Sequence, residues 1–247
     1  AEKFGVGIED VEVHLADTTK IAHGVGTFAS RIACNAGPSV HLAALEVRSK
    51  VVKIASHLLE AAEEDIELEE GRAFVRGVPN MSKTLGEIAY AVAGSPGFAL
   101  PSGLKPGLEA THYFSPKQSA YCNGTHVAEV EVDIETGRVV ITRYVIVHDS
   151  GTLINPMIVD GQVQGGFAHG IGNALFEEQH YDENANPLTT TFSEYLLPTA
   201  DEVPDAETIH MESPSPLNPL GVKGAGEGGT IPAAAAIISA VENALKP

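Results

Sequence analysis

The segment 220–232, LGVKGAGEGGTIP, places one lysine and one glutamate among five glycines. A glycine-rich loop that opens a helix presents backbone N–H groups to an anion, and Lys223 can add a contact to a phosphate. The segment is not a Walker loop, because no Gly-Lys-Ser/Thr follows the glycines. Glu227 has glycine on both sides, which leaves room for a substrate, so its carboxylate is a candidate general base. A flexible loop whose glutamate faces water explains the same residues equally well.

A second candidate segment is 24–31, GVGTFASR. The side chains of Thr27, Ser30 and Arg31 can contact a phosphate or a polar ring, and Arg31 can do so with two N–H groups at once. An ordinary surface turn is the simpler interpretation of these residues taken alone.

A third candidate segment is 149–166, where a strand end, a turn and a helix entry coincide. Ligands of mixed α/β proteins often bind at strand ends. The polar side chains that can hydrogen-bond a ligand there are Asp149, Ser150, Gln162 and Gln164. Asp149 and Ser150 can equally serve only to close the turn.

The elements that must position these segments follow from hydrophobic periodicity and turn residues. Helices are predicted at 40–62 and 82–92. A third helix is predicted to begin at Pro156, with Asn155 as its cap, and a fourth at 232–245, with Thr230 as its cap. Strands are predicted at 11–15, on both sides of a turn within 65–75, and as a hairpin at 127–134 and 139–147. The Gly- and Pro-rich stretch 94–116 is the candidate boundary between two lobes.

Composition excludes several classes of protein. The chain has 247 residues, 43% hydrophobic and 19% charged, which supports a packed core. With 33 acidic and 15 basic residues its formal charge is −18, which disfavours nucleic acid and anionic membranes as partners. The two cysteines form no CxxC pair and the ten histidines show no metal-ligand spacing, so we expect no metal held directly by this chain. A cytoplasmic protein with reduced thiols fits best.

Three ordered segments carry a resemblance to a known family. GTFASR, VHDSGTLINPMIVDGQVQGGFAHGIG and PLGVKGAGEGGT resemble, in that order, the C-terminal part of a molybdenum hydroxylase large subunit. This is the family of xanthine dehydrogenase, aldehyde oxidase and carbon monoxide dehydrogenase. The resemblance covers nearly the whole chain and implies an α+β fold of mixed sheets and long helices in two lobes. We expect the first lobe at 1–110 and the second, with the Glu227 loop, at 111–247.

The resemblance also implies a cofactor and a reaction. The cofactor is molybdenum–molybdopterin, in bacteria often the cytosine dinucleotide form, and the reaction hydroxylates an N-heterocycle or an aldehyde with oxygen from water. Glu227 matches the family's base, which deprotonates the hydroxyl ligand on molybdenum, and iron–sulfur clusters and FAD on partner subunits take the electrons. The positions that match the cofactor-gripping segments are Thr27, Ala29, Ser30, Arg31, Asp149, Ser150, Ile154, Asn155, Gln162, Lys223, Gly224, Ala225 and Gly226.

Two departures from the family pattern matter. Many relatives carry Gly-Ser-Arg-Ser where this chain has Ala-Ser-Arg-Ile at 29–32, so one hydroxyl contact is lost. The first half of the family's cofactor cage is absent, so we expect a partner chain or a longer subunit to supply it, and no activity of this chain alone. The alternatives are a non-catalytic assembly fragment of such a complex and a generic anion-binding module built on the glycine loop.

Overall fold

The fold combines helices with two separate three-stranded sheets. The structure is a computed structural model that describes residues 1–94 and 99–246. Unit 1 comprises Ala1–Gly26 and Ala36–Phe114, and unit 2 comprises Thr27–Asn35 and Ser115–Pro247. Each unit contains one of the sheets. The predicted α+β class is therefore confirmed, whereas the lobe boundary at 110/111 stays a prediction.

Unit 1 is built on a long helix and an antiparallel sheet. Its elements, in chain order, are α1 (Ile32–Leu59, whose first residues belong to unit 2), β1 (Ile66–Glu69), β2 (Arg72–Val75), β3 (Val78–Thr84) and α2 (Leu85–Val92). Thr84 caps α2, because its hydroxyl accepts from the backbone N–H of Glu87 at 3.1 Å while the Glu87 carboxylate accepts from the Thr84 backbone N–H at 2.8 Å. The apolar face of α1 packs with Ile66, Ala73 and Ile88 into the core of this unit.

Unit 2 contains a mixed sheet covered by two helices. Its elements are β4 (Asn123–Val132), β5 (Val139–Asp149), α3 (Pro156–Ile171, followed by a π-helical turn at Gly172–Phe176), β6 (Glu207–Met211) and α4 (Ala233–Ala244). β4 pairs antiparallel with β5, and β6 pairs parallel with β5 on its other side. The predicted hairpin is confirmed, and so is the cap of α3, where the Asn155 side chain accepts from the Ile158 N–H at 3.3 Å. β5 therefore lies at the centre of the sheet, and its carboxyl end leads into the 149–166 segment.

The core of unit 2 joins the central strand to both helices. Tyr144 of β5 lies against Phe167 of α3, with ring centroids 4.1 Å apart, and Ile237 of α4 packs into the same cluster. All three are at most 1% exposed, and burying side chains of this size contributes about 1.5–3 kcal/mol each. α3 and α4 are thus fixed on the sheet, and the glycine loop 221–230 that precedes α4 is held at one end by this core.

Several local predictions are corrected. Residues 11–15 form no strand and all five are exposed, because no strand within the described residues supplies the hydrogen bonds that an extended segment needs. α1 begins at Ile32 rather than at 40, since Pro38 near its start removes only one backbone hydrogen bond. Residues 82–84 belong to β3 instead of a helix, and Pro232, not Thr230, occupies the N-cap position of α4, without a side-chain cap hydrogen bond.

Two remaining points concern the rest of the chain. Of the predicted boundary stretch 94–116, residues 95–98 lie outside the described residues. Among the residues that the structure does describe, no helix is long and apolar enough to cross a bilayer.

Candidate functional site

The glycine loop 221–230 packs directly on α3. A side chain at Gly229 would overlap the carbonyl oxygen of Val163 and approach the backbone nitrogen of Phe167 to 2.9 Å, so only glycine allows the loop to lie this close. The Thr230 hydroxyl donates to the carbonyl oxygen of Gly166 at 3.0 Å. Of the glycines in α3, Gly166 therefore makes close contact with the loop, while Gly161 and Gly165 meet open space.

Glu227 pairs with Ser30 across 197 positions of sequence. The Ser30 hydroxyl donates to Glu227 Oε2 at 2.6 Å, and the Glu227 backbone N–H donates to the same hydroxyl oxygen at 3.0 Å. This reciprocal pair fixes both the backbone and one carboxylate oxygen of an otherwise exposed glutamate. The segments 24–31 and 220–232 are thereby brought together, as the candidate site requires.

The backbone that carries Ser30 is strained. Ala29 and Ser30 both adopt left-handed conformations, with φ of 51° and 53°. Such conformations cost about 1–3 kcal/mol for residues with a side chain, and they concentrate at functional sites. Two consecutive strained residues directly before Arg31 are therefore difficult to explain as an ordinary surface turn.

Glycines next to Glu227 allow the loop to lie close to Ser30 and Gln162. A side chain at Gly224 would approach the carbonyl oxygen of Ser30 to 2.7 Å, so the loop and the 27–35 segment lie in backbone contact. A side chain at Gly226 would lie 3.5 Å from both the Ser30 hydroxyl and Gln162 Oε1. Gln162, the candidate from α3, therefore lies on the same side of the loop as Ser30.

Lys223 and Asp149 form a buried ion pair. Lys223 Nζ lies 2.8 Å from Asp149 Oδ2, and both side chains are 11% exposed. Ser213, which the sequence did not indicate, completes the cluster, because its hydroxyl bonds Asp149 Oδ2 and accepts from Lys223 Nζ at 2.8 Å. Burial acts to raise the pKa of Asp149, but hydrogen bonds from Lys223, Ser213 and the Gly151 N–H outweigh it and hold that pKa well below its usual value. Asp149 is therefore ionised, and two of the hydrogen-bonding directions of Lys223 are used within the protein.

The start of the loop is held by a second internal clamp. Asn218 Nδ2 donates to the Val222 carbonyl oxygen at 2.8 Å, and Asn218 Oδ1 accepts from the Val222 N–H at 3.2 Å. The Lys223 N–H donates to the Ser150 carbonyl oxygen at 2.7 Å. Together these bonds attach the loop to the carboxyl end of β5.

Two buried donors beside the loop have no hydrogen-bond partner within the described residues. They are Arg31 Nε and Ser150 Oγ, and Ser150 is only 3% exposed. The Arg31 guanidinium lies over the Phe28 ring, 4.2 Å from its centroid. Leaving a buried polar group unsatisfied costs about 1–3 kcal/mol, so each of these donors calls for an acceptor from outside the unit.

Four sequence candidates lie further from these contacts. Thr27 is exposed, Ile154 is 64% exposed, and Asn155 uses its side chain to cap α3. Ala225 is partly buried, and its carbonyl oxygen accepts from the Gly228 N–H at 3.3 Å. The contacts of the unit do not bring Thr27, Ile154 or Asn155 to Glu227.

Sequence reasoning did not single out Ser213 and Asn218, which hold the loop and Asp149, or the buried His148 next to Gly228. Asn218 stands between Leu217 and Pro219 in a Pro-rich stretch, where an asparagine commonly organises a turn. His148 lies two residues after Ile146 and so shares its buried face of β5. Within residues 1–94 and 99–246, no group of three or more His, Cys, Asp or Glu side chains could hold a metal ion directly.

Comparison with known proteins identifies the family. A model of the molybdopterin cofactor-binding domain matches residues 1–204. The nicotine 6-hydroxylase large subunit of Paenarthrobacter nicotinovorans is 42% identical over 247 residues, which cover 100% of this chain and 30% of that protein. The carbon monoxide dehydrogenase large chain of Hydrogenophaga pseudoflava is 38% identical over 244 residues, which cover 97% of this chain and 30% of that protein.

Comparison with solved structures identifies a further similar protein. Quinoline 2-oxidoreductase from Pseudomonas putida 86 superposes with a TM-score of 0.84 at 42% identity, over 98% of this chain and 31% of that one. This chain thus spans about 30% of the length of the curated relatives that it matches. It belongs to the molybdopterin cofactor-binding domain family, as a part of a molybdenum hydroxylase large subunit.

Proposed function

We propose that this chain is the base-bearing, C-terminal part of a molybdenum hydroxylase, an oxidoreductase that hydroxylates an N-heterocycle with oxygen from water. Glu227 is the proposed catalytic base. The observation that carries the proposal is the reciprocal hydrogen-bond pair between Glu227 and Ser30, with Oε2 at 2.6 Å from the serine hydroxyl. A solvated glutamate on a flexible loop would have no such fixed partner from a segment almost 200 positions away.

The residues of unit 2 fit a molybdenum–pterin dinucleotide. The cofactor carries phosphate and carbonyl oxygens, and the two unpartnered buried donors, Arg31 Nε and Ser150 Oγ, flank the glycine loop. An arginine matches the geometry of a phosphate, and Gly226, where an added side chain would meet nothing closer than 3.5 Å, leaves backbone accessible to a planar ring system. In this proposal Arg31, Ser150 and the backbone of the loop hold the cofactor, and Gln162 faces it from α3.

The chemistry of the site divides between cofactor and protein. When bound, the molybdenum cofactor would supply the two-electron oxidation of the substrate carbon, whose C–H hydrogen is replaced by a hydroxyl group with oxygen derived from water. Glu227 accepts the proton that water releases in forming the new carbon–oxygen bond. Ser30 keeps the Glu227 carboxylate oriented through its 2.6 Å hydrogen bond, and Gly226 carries no side chain that would occupy the space beside it. A base held in place in this way avoids the entropic cost of finding its proton.

The relatives favour an N-heterocycle as substrate class. The names of two proteins at 42% identity, nicotine 6-hydroxylase and quinoline 2-oxidoreductase, both specify an N-heterocycle. The carbon monoxide dehydrogenase large chain is less similar, at 38%. An aldehyde remains the second substrate class to assay, and carbon monoxide the third.

The proposal includes partners that this chain does not provide. The relatives are about three times as long, and one is named as a subunit of a dehydrogenase complex. We propose that the remaining part of the large subunit, on the same or a separate chain, completes the cofactor cage. Iron–sulfur clusters and FAD on partner subunits then accept the electrons. The cytosine dinucleotide form of the cofactor, a cytoplasmic location and a lobe boundary at 110/111 belong to the same proposal.

Glu227→Gln in the assembled complex tests the proposed function. The amide keeps the size of the side chain but cannot take a proton, so we expect turnover of quinoline or nicotine to fall by about a hundredfold or more while molybdenum content is unchanged. The matched control is Glu242→Gln, on the exposed part of α4, which should leave turnover unchanged. Normal turnover by Glu227→Gln would contradict the base assignment. If the wild-type complex and both variant complexes contain no molybdenum, that result favours the assembly-fragment alternative.

A further inference from the structure

We propose that His148 is a positioning residue for Glu227, acting through Gly228. This inference rests on the proposed function, because it assumes that Glu227 is the base. The hydrogen bond recorded for the Glu227 carboxylate comes from Ser30 and not from His148. His148 packs against Gly228, the residue after Glu227, and it limits how closely the loop can approach the sheet.

The contact between His148 and Gly228 is edge-on. A side chain at Gly228 would approach Nδ1 of His148 to 2.8 Å and Nε2 to 3.3 Å, and it would overlap the Cε1 atom that lies between them. The edge of the imidazole that contains both nitrogens therefore faces the Cα of Gly228. His148 is 1% exposed and lies on the central strand β5, so the ring cannot swing away into solvent.

The loop is held from the opposite direction at the next residue. Gly229 contacts the backbone of α3 at Val163 so closely that a methyl group would overlap the carbonyl oxygen. The ring beneath Gly228 and the helix behind Gly229 therefore fix two consecutive loop residues. Glu227 is attached directly to this fixed pair, so its backbone position follows from the size of the His148 side chain. Ser30 adds a hydrogen bond to the Glu227 backbone N–H and sets the direction of the carboxylate.

The environment of His148 favours an uncharged ring. Burial, foremost, and the neighbouring His210 on β6 lower its pKa, while Asp149 acts in the opposite direction. His126 on β4 is a further titratable neighbour, and its own pKa is lowered by burial. Nε2 of His148 has no hydrogen-bond partner within the described residues. The ring thus contributes shape at this position, and within the described residues its Nε2 atom is not engaged by another group.

A compensating pair of substitutions tests this inference in the assembled enzyme. Gly228→Ala should lower kcat by about a hundredfold with KM little changed, since displacing a catalytic group by about 1 Å has an effect of that size. His148→Ala should lower kcat by about tenfold, because the loop loses its support. The double variant His148→Ala/Gly228→Ala should recover at least about tenfold in kcat over Gly228→Ala, because the new methyl group occupies vacated space. Gly161→Ala, at a helical glycine with open space around it, is the control.

A second readout keeps the inference testable if Gly228→Ala assembles poorly. The thermal midpoint of this chain alone should fall in Gly228→Ala and recover in the double variant, without any requirement for cofactor. Rescue of both the midpoint and kcat supports the inference. A double variant no better than Gly228→Ala, or a His148→Ala variant with the kcat of the wild type, would overturn it. If Glu227→Gln is fully active, both proposals fail; if Glu227→Gln is inactive and rescue is absent, this inference alone fails.

Discussion

Replacing Lys223 with methionine should destabilise unit 2 strongly. The substitution removes the charge that lies 2.8 Å from Asp149 and leaves that carboxylate in a site where its side chain is 11% exposed. Breaking one side of a buried ion pair costs about 3–5 kcal/mol. Asp149 retains the Ser213 hydroxyl and the N–H groups of Gly151 and Ser213, at 2.8 and 3.2 Å, so the lower end of that range, about 3 kcal/mol, applies.

The assay is thermal unfolding of the chain followed by circular dichroism, with urea denaturation for the free energy of unfolding. A loss of about 3 kcal/mol corresponds to a fall in Tm of about 6–12 °C for a protein of this size. The control is Lys20→Met, since Lys20 is 56% exposed and its nearest carboxylate, on Asp17, is 3.9 Å away. We expect its effect to stay below about 0.5 kcal/mol.

A double variant distinguishes the stability lost by breaking the ion pair from the stability lost by changing the lysine side chain. Asp149→Asn together with Lys223→Met removes both charges, so it should cost less than the sum of the two single substitutions. Additive effects, or a fall in Tm for Lys223→Met as small as that of Lys20→Met, would refute the reasoning. Either result would mean that Lys223 is not committed to Asp149 and remains available for a ligand.

Three further predictions follow from the same unit. Gly229→Ala should abolish or severely lower stability, because its methyl group meets a backbone carbonyl, whereas Gly161→Ala in open space should be neutral or stabilising by up to about 1 kcal/mol in denaturation experiments. Asp149 should stabilise the fold fully above pH 3.8 and lose that contribution as the pH falls towards its lowered folded pKa; acid titrations of unfolding should therefore show a steeper loss in the wild type than in Asp149→Asn. Ser30→Ala should lower kcat more than it raises KM in the assembled enzyme, because it frees the Glu227 carboxylate; an unchanged kcat would argue against that role.

Local signals in the sequence were sufficient for much of unit 2. The alternating apolar residues of β4 and β5 and the Asn155–Pro156 pair at the start of α3 depend on neighbours in sequence, and the structure confirms all three elements. β6 and β3 were missed because neither is a strongly apolar run, and each is extended only because a partner strand is present. The 11–15 segment shows the converse case, since its alternating pattern lacks a pairing partner within the described residues.

The sequence indicated candidate segments for the site but not the contacts between them. Glycines around Glu227 and the three ordered motifs indicated which segments matter. The pairing of Ser30 with Glu227 and the clamp of Ser213 on Asp149 join positions 197 and 64 residues apart, and no local pattern encodes such distances. His148 gave only a weak signal, because a histidine in an apolar strand does not reveal which residue of a distant loop it supports.

The most direct test of the central claim is the molybdenum content of the native complex. The chain should be tagged, purified gently from its own host with whatever co-purifies, and analysed by elemental mass spectrometry. We predict about one molybdenum atom per chain, together with a pterin dinucleotide, iron and a protein that supplies the other half of the cofactor cage. Absence of molybdenum from a complex with intact partners would contradict the claim and leave Glu227 without a metal centre to serve.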